Sequence, residues 1–231
     1  WIQINRGHNP NVHTYEDYKN FIKYAQKKGF KYCHLMNSAK ALSERDYKQV
    51  EHDFHFALDF LHDLGVNDIK FANTQVGDLI NEYKYKFDLS SSTVTNYQNI
   101  SQYQNLVHNY PNIKLFDIAI DQNQNFTFLK SLREAFPDIK LEVMVNEPCI
   151  KGCPGRTSHE GETFFTVFEC FRAKEKQGTI LTFFKTSAVY PWNLAYYSAL
   201  GINNFKFMPE GNADLRANFH NIELLKNYIN L

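Results

Sequence analysis

From one end of this chain to the other, short runs of β-branched and aromatic residues alternate with amphipathic stretches, and no linker or low-complexity tract interrupts them. Strands that alternate with helices cannot pair as hairpins, so the pattern predicts an α/β fold built on parallel strands. The spacing predicts strands at Trp1–Asn5, Lys31–Met36, Asp68–Ala72, Lys86–Ser90, Lys114–Ile120, Lys140–Val145, Thr179–Lys185 and Asn204–Met208. Helices are expected at Tyr15–Lys28, Ser43–Leu64, Val76–Glu82, Ile100–Asn109, Asn125–Phe136, Trp192–Leu200 and Ala213–Ile229. Gly29, Gly65 and Gly201 act as stops, and Ser43 as an N-cap. Val50, Phe54, Leu58 and Leu61 give the second helix one apolar stripe. Eight strands in 231 residues predict a single domain over 1–231, a (β/α)8 TIM-type barrel near the usual ~250 residues. An open doubly wound sheet is the competing arrangement, which alternation alone does not exclude.

A barrel brings the C-terminal ends of its strands to one mouth, where chemistry collects. The residues expected there are nearly all polar: Asn5 and Arg6, His34 and Asn37, Asn73, Ser90 to Thr93, Asp121, Asn146 to Cys153, Lys185 and Ser187, then Glu210 and Asn212. Asn37, Asn73, Ser91, Asn146 and Lys185 are the candidate substrate pocket. Strand ends also meet water in a purely structural barrel, and that is the bland alternative.

Lys140–Val145 runs directly into Asn146-Glu147-Pro148-Cys149-Ile150-Lys151-Gly152-Cys153-Pro154-Gly155-Arg156-Thr157-Ser158-His159. Cys149, Cys153 and Cys170 fall within 22 residues, separated by three and then 16 residues. Thiolates so clustered suit a soft metal, either zinc or an iron–sulfur cluster, with Cys33 or His159 as the fourth ligand. The spacing is not the paired Cys-x-x-Cys of a zinc ribbon, and Cys33 taken alone reads better as a space-filling core residue. A cysteine nucleophile with His159 as base is a further alternative. Glu147 is a candidate general acid or base. Arg156 could hold a carboxylate or phosphate in bidentate fashion, or simply pair with Glu160 or Glu162. His52, His55 and His62 share one helix with acidic neighbours and read as a solvated face.

Few cysteines, closely clustered, argue for metal or redox duty in a reducing compartment, with the cytoplasm as the expected location. Lys+Arg and Asp+Glu balance at 25 each, so nothing calls for a polyanion or membrane surface as partner. No apolar run approaches the roughly 20 residues of a membrane span. The start, Trp1-Ile2-Gln3-Ile4-Asn5, lacks Met and a signal pattern, so further residues are expected before Trp1.

The run Val145-Asn146-Glu147-Pro148-Cys149…Cys153-Pro154…Arg156…His159 resembles the Asn-Glu-x-Cys…Cys-Pro-x-Arg…His segment of the collagenase-like peptidases of unassigned mechanism, family U32. Lys31–Asn37, Asp68–Asn73, Ser90–Thr93 with Asn99-Ile100, and Lys185–Tyr197 followed by Gly201-Ile202…Phe205-Lys206 are similar to other blocks of that family. The resemblance implies a TIM-type barrel. In one branch it also implies a [4Fe–4S] cluster on four cysteines that serves oxygen-independent hydroxylation in quinone synthesis or tRNA modification. Older members were named proteases and collagenases. By this resemblance Cys149, Cys153 and Cys170 match cluster-ligand positions, and Cys33 corresponds to an early-strand ligand. The family's closing Lys-x-x-Gly-Arg is replaced here by Lys206-Phe207-Met208-Pro209-Glu210-Gly211, without the arginine.

The expectation is therefore an iron–sulfur protein acting by redox or hydroxylation chemistry on a small molecule, a peptide or tRNA, with a family member as a candidate protein partner. Glu147, Arg156 and His159 are its candidate catalytic residues. The alternatives are a hydrolase of the collagenase-like type, with zinc at the same thiols, and a non-enzymatic binding or assembly subunit.

Overall fold

The computed structural model describes residues 14–36, 44–145, 151–152 and 187–207. These divide between two compact units, the first drawn from 1–92 with 107–114 and the second from 93–106 with 115–231. The elements follow in order α1 (Tyr15–Lys27), β1 (Cys33–Met36), α2 (Glu44–Asp63), β2 (Asp68–Phe71), α3 (Thr74–Glu82) and β3 (Asp88–Ser91). Then come α4 (Ile100–Asn109), β4 (Ile113–Asp117), α5 (Phe126–Ala135), β5 (Lys140–Met144), α6 (Leu194–Ala199) and β6 (Asn204–Lys206).

Local chemistry explains the boundaries. Thr14 caps α1 in a reciprocal box: its hydroxyl accepts from Asp17 N at 3.1 Å, while Asp17 Oδ2 accepts from Thr14 N at 3.0 Å. Asn73 and Asn125 cap α3 and α5 by accepting from Val76 N and Phe128 N. After α2 the chain turns at Gly65, whose φ of +70° suits a residue with no β-carbon, and Val66 N then donates back to Leu61 O.

In the first unit β1, β2 and β3 run parallel, with Cys33 opposite Asp68 and Phe71 opposite Ser91. Side chains alternate across a strand, so Ile69, Phe71 and Leu89 share one face. Phe71 meets the Tyr110 ring edge-on at 5.0 Å, which marks this face as the one covered by aromatic packing. Tyr110 is pinned in turn by donating to Asp78 Oδ1 at 2.8 Å. Lys70 and Asp68 occupy the opposite face and are buried there.

The second unit repeats the scheme with β4, β5 and β6. Phe116 lies between Tyr103 and Phe136, with ring centroids at 4.8 and 5.2 Å, and Leu129, Leu132, Leu141, Val143 and Tyr197 complete the core. Arg133 at the end of α5 donates to the carbonyls of Leu200, Ile139 and Pro137 at 2.9–3.1 Å, fastening the helix to two neighbouring turns.

The sheet corrects the eight-stranded barrel expected from the sequence. Among the described residues six parallel strands are present, in the order β1-β2-β3-β4-β5-β6. β5 pairs directly with β6, through Glu142↔Asn204, Val143↔Phe205 and Met144↔Lys206. The (β/α)8 arrangement needs the Thr179–Lys185 strand between those two, and this register leaves no place for it. Among the described residues β1 pairs with β2 alone and does not close onto β6. Among the described residues the architecture is an open parallel α/β sheet. Trp1–Asn5, Thr179–Lys185 and Ala213–Ile229 lie outside the described residues. Among those described, no helix is long and apolar enough to cross a membrane.

Candidate functional site at the ends of β4, β5 and β6

Past the C-terminal end of β4, the connection Ala119–Asn125 folds into a tight turn. Gln122 N donates to Ala119 O at 2.8 Å, and Asn125 N to Gln122 O at 3.0 Å. The turn is rigid at its centre because the Asn123 side chain is fully buried and donates to Met144 O at 2.8 Å and Ser187 O at 3.2 Å. Tyr197 Oη donates to Asn123 O at 2.6 Å. One amide thus ties β5's last residue to Ser187, which lies 64 positions along the chain from Asn123 itself. Gln124 Nε2 adds a bond to Ala188 O, and Val189 N donates to Val145 O at 3.0 Å.

This turn also holds the middle of the cysteine segment. Asp121 Oδ1 accepts from Gly152 N at 2.9 Å, and Lys151 Nζ donates to Gln124 Oε1. Gly152 has φ +63°, a conformation that side-chain-bearing residues rarely adopt, so the turn at this point depends on glycine.

On the face of the sheet opposite Phe116, three charged side chains are buried together in one unit. Asp117 stands opposite Glu142 in register, and both are at most 5% exposed. Lys206 reaches back from β6 to place Nζ 2.9 Å from Asp117 Oδ2. Charge removed from water in this way is costly unless paired, so such a group marks either a structural tie or a site. Asn123 Oδ1 and Ser187 Oγ, both buried at this end, have no hydrogen-bond partner among the described residues.

The sequence-predicted residues divide sharply. Glu147, Cys149, Cys153, Arg156, His159, Cys170, Asn37, Asn146 and Lys185 lie outside the described residues. Cys33 is the first residue of β1, 2% exposed, at the N-terminal end of its strand. Asn73 is an N-cap, its side-chain oxygen engaged by Val76 N. Ser91 ends β3, fully buried and opposite Phe71, hence on the face carrying the aromatic packing. Among the described residues no group of three or more His, Cys, Asp or Glu is arranged to hold a metal ion.

Sequence reading missed Asp117, Glu142, Lys206, Asn123 and Gln124. A signal existed for the first three, because each is a charge set in an apolar strand. In a sheet buried on both faces, such a residue points into the interior.

Comparison with known proteins agrees with the sequence resemblance. No curated protein matches the chain. A solved structure described as that of the U32 peptidase Mk0906 is similar over 88% of this chain and 79% of its own, with a TM-score of 0.59 and 13% identity, a likeness of fold. The sequence model of peptidase family U32 matches residues 5–149, more than half of the chain. On that match the chain belongs to peptidase family U32.

Proposed function

We propose that this U32 protein belongs to the family's iron–sulfur branch, binds its cluster through Cys149, Cys153 and Cys170, and acts on its substrate by redox or hydroxylation-type chemistry. The observation that carries the reading is the anchoring of Lys151 and Gly152, two of the three residues between Cys149 and Cys153, to the turn that follows β4. The donor set fits the group: three thiolates within 22 residues, with an imidazole close by, match the preference of iron and zinc for soft ligands. We take Cys33 or His159 as the fourth ligand.

When bound, the cluster supplies electron transfer. The chain's own part would be Glu147 moving a proton, Arg156 holding an anionic part of the substrate, and the strand-end amides orienting it. A small molecule, a peptide or tRNA would each offer such a group, and a reducing compartment such as the cytoplasm would preserve the thiolates.

A second reading is favoured by the description of the structural neighbour as a peptidase. In it the same thiols hold zinc, and Glu147 is the base that activates water.

Anaerobic purification with a UV–visible spectrum and iron, sulfide and zinc analysis separates the two. The cluster reading expects broad absorbance near ~400 nm and about four irons per chain. It also expects loss of both in the Cys149→Ser/Cys153→Ser double variant. Stoichiometric zinc without colour moves the assignment to hydrolysis, and a double variant that keeps its colour overturns the ligand set.

A further inference from the structure

We propose that residues 96–98, the turn after β4 and the start of α6 form a binding surface for a neutral oligosaccharide. A row of side-chain amides would take its hydroxyls, and the exposed rings of Trp192 and Tyr196 its apolar face. The surface lies within the second unit, and the inference is independent of the metal reading above.

The row has a single direction, set at one end by the backbone. Asn125 Oδ1 accepts from Phe128 N at 3.1 Å, which leaves the Asn125 nitrogen to donate to Gln122 Oε1 at 2.8 Å. Gln122 must then donate onward, to Gln98 Oε1 at 2.7 Å, and Gln98 to Asn96 Oδ1 at 2.5 Å. Every amide oxygen in the row is thus engaged, and no member can flip without setting oxygen against oxygen. Asn125, Gln122 and Gln98 each keep one N–H outside the row, and Asn96 keeps both of its own. Asn125 and Gln98 are exposed, and Gln122 and Asn96 half-exposed. A merely solvated surface gains nothing from holding four amides in series, because ordering them costs rotamer freedom.

Such a row offers N–H donors without charge. Phosphates and carboxylates are recognised where Arg or Lys supplies charge-assisted bonds, and neither belongs to the row. An extended peptide presents N–H and C=O groups in near-equal number, and its N–H groups would meet oxygens already engaged. A sugar hydroxyl suits the row better. It accepts two hydrogen bonds and can turn its own proton toward water or a neighbouring hydroxyl.

The rings complete the match. Trp192 and Tyr196 are 61% and 62% exposed, and Tyr196 packs on Phe126, the residue after Asn125, with centroids 5.5 Å apart. Phe126 also meets Tyr197, whose hydroxyl donates to Asn123 O at 2.6 Å, so rings and amides share one anchored support. A pyranose has a C–H face and an edge of hydroxyls, suited to an aromatic ring and to N–H donors respectively. A surface already ordered loses less freedom on binding.

The test uses the full chain as wild type, Gln122→Ala and Tyr196→Ala, titrated calorimetrically with cellohexaose, maltohexaose, mannohexaose and chitohexaose. Hexagalacturonate and hexaglycine are the anionic and peptide comparisons. At least one neutral oligosaccharide should bind with a Kd of about millimolar or tighter. Gln122→Ala, which breaks the row at its middle, should weaken that binding about 3- to 10-fold, the loss expected of a neutral hydrogen bond. Tyr196→Ala should weaken it by a similar factor. Neither side chain is buried, so urea midpoints should stay near wild type. If Gln122→Ala fails to fold, Gln98→Ala, exposed and next in the row, should show the same weakening.

Failure of all four neutral oligosaccharides to bind wild type overturns the surface, and so does binding that the variants leave unchanged. Tighter binding of the uronate or the peptide overturns the assignment of the occupant.

Discussion

Lys206 Nζ lies 2.9 Å from Asp117 Oδ2, with the two side chains 8% and 0% exposed, although the residues are 89 positions apart. The bond spans from β6 to β4 across the intervening strand, where Glu142 stands opposite Asp117. Removing the cation alone leaves a buried carboxylate without its ammonium, a loss of roughly 3–5 kcal/mol. Lys206→Met should therefore lower the urea midpoint sharply. The double variant Asp117→Leu/Lys206→Met, with no charge left in that pair, should recover most of the loss. A Lys206→Met protein within about 1 kcal/mol of wild type, well short of the expected loss, would show that the pair is not a tie.

Gly77 provides a second test, this time of packing in the first unit. A β-carbon there would come within 2.6 Å of Phe71 Cε2 and 2.8 Å of Tyr110 Cζ. Both rings are buried, and Tyr110 is held by its bond to Asp78, so neither can withdraw cheaply. Alanine in α3 would gain about 1 kcal/mol of helix propensity. Overpacking typically costs about 1–3 kcal/mol. Gly77→Ala should be net destabilising in chemical denaturation, and a stabilised variant would mean that α3 can shift away from β2.

Much of this was legible in local chemistry. Gly29, Gly65 and the alternating strands mark their elements because left-handed turns and two-residue periodicity act over a few positions. α4 lies where its periodicity puts it, and β5 differs from expectation by one residue. Strand adjacency is another matter. Alternation says that strands are parallel but not which one lies beside β5, so its direct pairing with β6 could not be read. The Asp117–Lys206 pair was hidden for the same reason, since nothing near either residue names its partner. Asn73, a strand-end amide in the sequence, also has a local role that the expected helix start at Val76 hid: it caps α3 by accepting from Val76 N.

His34 carries the pH prediction. Its Nδ1 is 2.6 Å from Tyr18 Oη, which also bonds to Tyr32 Oη, and burial lowers its pKa from 6.5 to about 4. The same burial pushes both tyrosines upward, so neither titrates in acid. With its folded value below its unfolded one, His34 takes up a proton in the unfolded chain first. Its contribution is therefore complete above pH 6.5 and is lost as the pH falls toward 4. The shift corresponds to at most about 3 kcal/mol, and to less in practice because the residue is only partly buried. Carboxylates elsewhere also titrate in acid, so the comparison must be with His34→Gln, which keeps a polar side chain that does not ionise. Urea midpoints at pH 7, 5.5 and 4.5 should fall more steeply for wild type than for His34→Gln. Parallel slopes would mean that His34 is protonated in the folded protein and that the tyrosine cluster accommodates its charge.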